Sequence, residues 1–331
     1  MHRLVPNPWR APRRLIAAAG LWAVASVVAP APLTAATPNA AQGPDRVLAE
    51  PSGAPRSYDA PKATSPPAID GAPDDAAWQR APWTESFIDI RGDDWPAPEW
   101  DTRAKIVWDD DYLYIAAQLE EPHLWATLAD RDAILYREHD FEVFIDPDGD
   151  ALDYYELEIN ALGTEFDLFL PRPYNRRGRA NVGWDMVGLR TAVALDGTLN
   201  DPSDEDLGWT VEIEIPWAAL RPPEGGAAAD DPRETDRYAT ADGGRHKPGA
   251  GPRAGDEWRI NFSRVQWPVE VIDGGYQRAQ LPSRENRHPE HNWVWSPQGE
   301  INMHIPEMWG IVRFVEGAGP APRGQNPRTL P

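Results

Sequence analysis

Carboxylate side chains that could bind a ligand are concentrated in one stretch of the sequence, residues 140–160. Glu142 lies in its first half, and Glu156 and Glu158 lie in its second half. Carboxylates two residues apart on a β-strand share a face, with Cα atoms roughly 6.5–7 Å apart. Such rows accept hydrogen bonds from hydroxyl groups, and two rows together could hold the acid pair of a glycoside hydrolase. The spacing therefore indicates either polar recognition or acid–base chemistry.

The middle of the same stretch is a second concentration of carboxylates. These belong to Asp146, Asp148, Asp150 and Asp153. Several carboxylates in one turn suit a hard cation such as calcium. The spacing begins like an EF-hand loop, but Ala151 and Leu157 occupy the positions where that motif requires glycine and glutamate. Two interpretations stay open, a calcium site of another kind and an acidic turn without a metal.

The alternation of residue types predicts how these side chains are positioned. Apolar residues alternate with other types in residues 141–145 and again in residues 155–159, which is the period of a strand. Asp148 and Gly149 between the two runs are a hairpin signal. We therefore predict two antiparallel strands, each with one apolar row facing a core and a carboxylate row on the opposite face.

The rest of the chain repeats this pattern of short strands at hairpin spacing. The 331 residues include 36 Pro and 26 Gly, which favour loops over helices, and 16 Trp, which can fill a sizeable core. Because short alternating runs recur throughout with almost no helical period, the predicted fold is all-β. We expect an antiparallel β-sandwich with short helical turns.

Composition divides the chain into one domain and several segments without a core. Residues 1–36 combine arginines, a short apolar run and small residues, which predicts a signal peptide and a secreted or periplasmic location. Residues 37–63 are predicted to be a disordered linker, and residues 64–315 to be the β-sandwich. Within it, residues 222–254 are predicted to be a disordered insertion, and residues 316–331 a disordered tail.

Net charge and cysteine content exclude several classes of protein. The chain has a formal net charge of −21 and no cysteine. The excess of acids repels phosphate backbones and anionic lipid surfaces, so a nucleic-acid partner is excluded. Without cysteine there is no disulfide framework and no thiolate metal site. Apart from the signal peptide, we expect no membrane span.

The motifs around the two central strands resemble family 9 carbohydrate-binding modules and their DOMON-like relatives. The resemblance rests on five blocks in the same order, residues 69–78, 107–116, 140–160, 208–217 and 309–314. It implies a jelly-roll-like β-sandwich that binds carbohydrate without cleaving it, in polysaccharide recognition or degradation. It also implies that structural calcium is a possible cofactor.

The resemblance also implies a site in which aromatic rings hold a sugar above polar groups. The first aromatic position falls on Tyr136 and its acidic companion on Glu142. The second aromatic position falls near Met303, which is not aromatic, and a basic position falls near Glu158. Trp293, Trp295 or His304 could therefore replace the missing aromatic partner. Alternatively, both tryptophans are buried against the edge of the sandwich. The full set of expected carbohydrate-binding residues is Tyr136, Glu142, Glu158, Asn160, Arg264, Trp293, Trp295 and His304. Of these, Glu158, Asn160 and Arg264 are expected from their position on the carboxylate face of the sheet and not from a matched motif.

Three alternatives remain at this stage. A glycan hydrolase would use the glutamate pairs Glu156/Glu158 and Glu212/Glu214 on sheet faces. A haem-binding protein of the DOMON-like type would take axial ligands from Met186, Met303, His304 and Met308. A structural module would dock another protein through Trp95 and Trp100.

Overall fold

The computed structural model describes residues 54–223, 247–279 and 288–317. Within these ranges the chain forms fourteen β-strands, and its helical elements are single 3-10 turns. The strands are β1 (Ser57–Pro61), β2 (Ile88–Asp89), β3 (Thr102–Trp108), β4 (Tyr112–Glu120), β5 (Asp140–Asp146), β6 (Tyr154–Asn160), β7 (Glu165–Leu170), β8 (Arg190–Asp196), β9 (Gly208–Pro216), β10 (Glu257–Gln266), β11 (Val269–Ile272), β12 (Gly275–Arg278), β13 (His291–Val294) and β14 (Gly310–Val315). The turns are Trp78–Arg80, Leu135–Arg137, Tyr174–Arg176, Trp217–Ala219 and Pro306–Met308. None of the described helices has the length and apolar character needed to cross a membrane.

The strands form two main sheets and one separate hairpin. The larger sheet has the order β1-β14-β10-β5-β6-β7, with β13 paired to β10 and β2 paired to β13. The smaller sheet has the order β3-β4-β9-β8, and β11 pairs with β12. Among the described pairs, only β1 and β14 run parallel. The predicted all-β, antiparallel sandwich is therefore confirmed, with one parallel pair at its edge.

The main core lies between the two sheets and uses the apolar rows that the alternation predicts. Phe141, Val143 and Ile145 of β5 are buried there, as are Leu157 and Ile159 of β6. The smaller sheet contributes the matching row of β9, which comprises Trp209, Val211, Ile213 and Ile215. Each sheet thus buries one face in this core. The residues that alternate with the apolar ones along each strand therefore point to the outer face of their sheet.

The outer face of the larger sheet is also covered. A second apolar cluster on that side includes Phe144, Tyr154 and Trp309. Every residue of β5 and β6 is buried as a result. The carboxylates of these strands therefore lie under loops, although alternation alone would place them in water.

The predicted domain boundaries need two corrections. β1 lies inside the stretch 37–63 interpreted as a disordered linker, and Tyr58 within it packs in the core. Residues 247–254, the end of the predicted insertion 222–254, are also ordered against the domain, since the Gly249 N–H donates to Leu220 O. The predicted signal peptide, residues 1–36, and most of the predicted tail, residues 318–331, lie outside the described residues.

The hairpin β11–β12 and the strand β13 are further strands that were not predicted from the sequence. Asp273 and Gly274 connect β11 to β12, and both have positive φ, 52° and 81°. This is the geometry of a two-residue hairpin turn, for which an Asp-Gly pair is the typical signal. The Asp-Gly signal was therefore present, and the apolar residues Val269, Val271 and Ile272 precede it.

Candidate functional site

An open groove of about 640 Å³ lies on the outer face of the larger sheet. Its floor is formed by the central strands β10, β5, β6 and β7, and its walls by Ile90 and by the segments 132–136, 174–182, 288–292 and 301–304. One line of paired residues across the floor runs through Ser263, Glu142, Glu158 and Phe166. The groove is therefore built on the carboxylate-bearing face of the two strands around which the sequence is organised.

Two tyrosines form exposed aromatic surfaces in the groove. Tyr136 lies in the turn Leu135–Arg137 and Tyr174 in the turn Tyr174–Arg176, and their exposed fractions are 47% and 48%. The backbone N–H of Tyr136 donates to Glu158 Oε2 at 3.0 Å, which ties this wall to the floor. Tyr136 therefore lies beside Glu142 and Glu158 in one groove, as the sequence predicts. Tyr174 is a further aromatic that the sequence analysis missed, although it is conspicuous in an otherwise polar, arginine-rich loop.

His304 lies against Tyr174 and lines the same groove. Its ring is 4.5 Å from the Tyr174 ring, centroid to centroid, in an edge-on arrangement. Its Nδ1 lies 3.0 Å from the Tyr154 hydroxyl. Burial lowers the pKa of His304 to about 4, because the charged imidazolium would lose its hydration. At neutral pH this residue therefore contributes an uncharged ring to the groove.

The floor contains three buried glutamates that repel one another. Burial raises the pKa of Glu142 to about 7. Burial, followed by the charge of Glu142, raises the pKa of Glu156 and of Glu158 well above the ordinary range. Oε2 of Glu142 and Oε2 of Glu156 have no hydrogen-bond partner among the described residues. The floor is thus a set of buried carboxyl groups, and the described part of the protein leaves one oxygen of Glu142 and one of Glu156 free to contact a ligand.

Asn160 lies on the predicted face but is used by the fold. Its Nδ2 donates to Leu128 O at 2.8 Å and contacts Glu138 Oε1 at 3.2 Å. Its Oδ1 accepts from the N–H groups of Leu162 and Thr164. Because donors and acceptor are both engaged, the prediction that Asn160 contacts a ligand is not supported by the geometry.

The prediction that Arg264 lies on the carboxylate face is wrong. Its strand partner is Phe141, so its side chain points between the two sheets. There its Nη2 donates to Glu121 Oε2 at 2.8 Å and its Nη1 to Thr102 Oγ1 at 2.9 Å. Arg264 is a fully buried structural cation, and period-two alternation with Phe262 already indicates this orientation.

The prediction that Trp293 or Trp295 stacks on a sugar is also wrong. Trp293 pairs with Arg264 across β13 and β10, and its exposed fraction is 4%. Trp295 is completely buried, and both rings belong to the core between the sheets. Trp293 instead packs against Arg264, whose guanidinium carbon lies 5.1 Å from its ring centroid. The interpretation of these tryptophans as core residues is the correct one.

Three of the four predicted metal-ligating aspartates come together. Carboxylate oxygens of Asp146, Asp148 and Asp150 lie within 4.8 Å of one another, whereas Asp153 is not part of this group. Burial and mutual repulsion raise the pKa of Asp146 to about 7 and that of Asp148 to about 9. The donor set suits a hard cation, because a divalent ion would supply the charge that these carboxylates lack.

The structure separates the two glutamate pairs of the hydrolase alternative. Glu212 lies in the smaller sheet, where its carboxylate accepts hydrogen bonds from the Trp78 indole and from the Asp70 and Gly71 N–H groups. It is thus a structural acceptor on the far sheet and cannot face Glu156 or Glu158. An acid pair drawn from both rows is excluded by this placement.

The haem alternative is weakened because one of its expected ligands lies apart from the others. Met186 packs between the sheets, whereas Met303 and His304 line the outer groove.

The docking alternative is weakened because one of its two tryptophans is not free to contact a partner. Trp100 is packed against the core and lies 5.9 Å from Trp293, centroid to centroid. Trp95 is exposed, with the Arg91 guanidinium carbon 3.3 Å from its ring centroid.

Comparison with known proteins gives one family and several distant relatives. Residues 69–230 match the family described as "Carbohydrate family 9 binding domain-like". The chain is 26% identical over 154 residues to the exoglucanase XynX of Acetivibrio thermocellus, which covers 46% of this chain. The chain spans only 12% of the length of that relative.

Solved structures with a similar fold include two bacterial proteins. A candidate carbohydrate-binding protein from Bacteroides uniformis has a TM-score of 0.52 at 16% identity, covering 79% of this chain and 100% of that one. A family 9 carbohydrate-binding module from Caldicellulosiruptor kristjanssonii, in complex with cellotriose, has a TM-score of 0.44 at 16% identity, covering 83% and 96%. The first of these supports the β-sandwich architecture.

Proposed function

Residues 69–230 of the chain belong to the carbohydrate family 9 binding domain-like family, and from this premise we propose that the outer groove binds an oligosaccharide or polysaccharide without cleaving it. Recognition of this kind would serve polysaccharide degradation, as the similarity to an exoglucanase supports. Its setting would be outside the cell or in the periplasm, which rests on the signal peptide expected at residues 1–36.

The observation that carries the proposal is the pair of half-exposed tyrosines above an acidic floor. Tyr136 and Tyr174 line the same groove as Glu142, Glu156 and Glu158. Sugar rings present C–H faces that pack on aromatic rings, and hydroxyl groups that donate to carboxylates. A cavity of about 640 Å³ falls within the usual range for small-molecule sites. Both kinds of contact are therefore available to one ligand at the same time.

Tyr136→Ala is expected to weaken carbohydrate binding at least about tenfold, or about 1.4 kcal/mol. The reason is loss of a stacking surface that is already in place in the free protein. Because Tyr136 is half exposed, we expect the melting temperature to change little. Calorimetry on a glycan selected by array screening measures the affinity, and an assay for reducing ends checks that no product is released.

Trp95→Ala is the matched control, since Trp95 is equally exposed but lies outside the groove residues. It should leave glycan affinity unchanged. If Tyr136→Ala binds as tightly as the unmodified protein, the groove is not the carbohydrate site. If Trp95→Ala is the variant that loses binding, the carbohydrate site includes the loop that carries Trp95 and not the groove.

We also propose that Asp146, Asp148 and Asp150 hold a structural calcium ion. The ion would neutralise the turn that joins β5 to β6, and so would stabilise the two strands that form the groove floor. Asp146 already orders this turn, since its carboxylate accepts from the N–H groups of Gly149 and Ala151. Calcium supplies charge compensation here and takes no part in the proposed contacts with the sugar.

Calcium at about one hundred times its Kd is expected to stabilise the fold by about 2.7 kcal/mol. For a domain of this size that corresponds to an increase in melting temperature of roughly 5–10 °C, which a chelator should reverse. Asp148→Asn should abolish the increase, whereas the exposed Asp74→Asn should retain it. An identical melting temperature in calcium and in chelator would contradict the metal site.

A further inference from the structure

We propose that the sugar bound in the groove is cationic, an amino sugar with a free, protonated amine that lies on the carboxylates of the floor. The proposal rests on the carbohydrate-binding function above and adds the chemical class of the ligand. It starts from the arrangement of four acids: carboxylate oxygens of Asp140, Glu142 and Glu158 lie within 4.8 Å of one another, and Glu156 lines the same groove.

Three of these acids, Glu142, Glu156 and Glu158, line the groove. Glu142 and Glu156 are each 5% exposed, and one oxygen of each has no hydrogen-bond partner among the described residues. A buried carboxylate without a partner costs free energy, so a ligand that satisfies it gains correspondingly.

The charged groups around the floor do not neutralise it. On the walls, the charge of Asp132 is met by Arg131 Nε at 3.8 Å, Glu290 adds negative charge, and His304 is uncharged at neutral pH. His288 is placed beside Glu290, with its Nδ1 3.0 Å from Glu290 Oε1. At the rim, Arg176 is ion-paired with Glu307.

Arg259 of β10 is a basic residue on the same face of the larger sheet, and it is also engaged elsewhere. Arg259 is the strand partner of Asp146, at the other end of β5 from Asp140. Its Nη1 donates to Trp309 O at 3.0 Å. Among the described residues, the carboxyl groups of the groove floor therefore lack a basic partner, so negative charge that forms on them is unbalanced.

This imbalance decides between a neutral and a charged sugar. A hydroxyl group donates one hydrogen bond and leaves the repulsion among the carboxylates unchanged. An ammonium group donates three hydrogen bonds and brings a positive charge, so it satisfies the acceptors and removes the repulsion together. A uronate or sulfated sugar would add to the repulsion and is disfavoured.

The aromatic walls favour an organic cation over a bare metal ion. The rings of Tyr136 and Tyr174 line the same groove and can pack on a sugar, and their faces also attract an ammonium group. A metal ion would use the carboxylates but leave these exposed rings without a role. A divalent cation at Asp140, Glu142 and Glu158 is therefore an outcome of the test that would contradict the proposal.

Calorimetry with three matched trisaccharides tests the proposal on the full chain in the presence of a chelator. They are a β-1,4-linked glucosamine trimer, the same trimer with every amine acetylated, and cellotriose. We expect the glucosamine trimer to bind at least about tenfold more tightly than either neutral trimer. Glu142→Gln and Glu158→Gln should each remove most of this preference, while the exposed Glu99→Gln should keep it.

The outcomes separate the proposal from the function on which it rests. Equal binding of the three trimers, or tighter binding of a neutral one, overturns the cationic ligand and leaves carbohydrate binding intact. Binding of no glycan by the folded protein overturns both. Calcium chloride alone should not displace the glucosamine trimer; displacement that Glu142→Gln abolishes would assign these carboxylates to a metal instead.

Discussion

Arg264→Met is expected to destabilise the fold by about 3–5 kcal/mol, because it leaves the buried Glu121 carboxylate without its arginine partner. Both side chains are about 1% exposed, and they meet between the two sheets. Burial alone would raise the pKa of Glu121, but the charges of His139 and Arg264 and the hydrogen bonds of the carboxylate lower it to about 2. Chemical denaturation at pH 7 measures the loss.

A double substitution and a surface control show whether the buried pair is the cause. Arg264→Met combined with Glu121→Leu removes both charges, so it should cost clearly less than the sum of the two single substitutions. Arg313→Met breaks an exposed ion pair with Glu257 and should cost no more than about 1 kcal/mol. A loss for Arg264→Met as small as that of Arg313→Met would contradict this account of the inner face.

Glu142→Gln is expected to stabilise the free protein at pH 8 by an amount on the order of 3 kcal/mol, at about 1.4 kcal/mol per pKa unit. Its folded pKa is raised from 4.5 to about 7, mainly by burial. A carboxyl with a raised folded pKa favours the folded state fully below the unfolded value, and this contribution is lost as pH rises through the folded value. The difference between variant and unmodified protein should therefore grow from pH 4.5 to about pH 7 and then stay constant.

Comparing the two proteins at each pH reports the Glu142 carboxyl together with its effect on Glu156 and Glu158, whose pKa its charge raises. Other groups titrate in the same window, including His304 with its lowered pKa, but they are shared by both proteins. The exposed Glu99→Gln should show no pH-dependent difference. If Glu142→Gln instead destabilises the protein at pH 8, the glutamate is satisfied by contacts other than those described here.

The same residue would then oppose stability and favour binding. A floor of buried acids is a cost to the free protein, and a cationic ligand would offset that cost on binding. Glu142→Gln should therefore be more stable and bind the glucosamine trimer less well, which is the usual relation between stability and a preorganised site. A stabilised variant that retains full binding would separate the two roles.

Local sequence was sufficient to predict the strands and their two faces. Alternation in residues 141–145 and 155–159 indicates which side chains share a face, because the period of two is a property of the extended backbone. The same argument indicates the position of Arg264, two residues after Phe262, which the search for polar partners overlooked. The Asp-Gly turn of β11–β12 was likewise a local signal, which follows the apolar residues Val269, Val271 and Ile272.

Tertiary structure decided what each face contacts. The sequence placed Glu142 and Glu158 together but not under loops, because the covering residues come from distant parts of the chain, such as Tyr174 and His304. It could not indicate whether Trp293 is exposed, since that depends on the register of β13 against β10. The sequence by itself thus determined the strands, their faces and the aspartate turn, which are local properties of the backbone. Only packing between remote segments decided which polar face became an acidic groove, because burial depends on contacts that alternation does not encode.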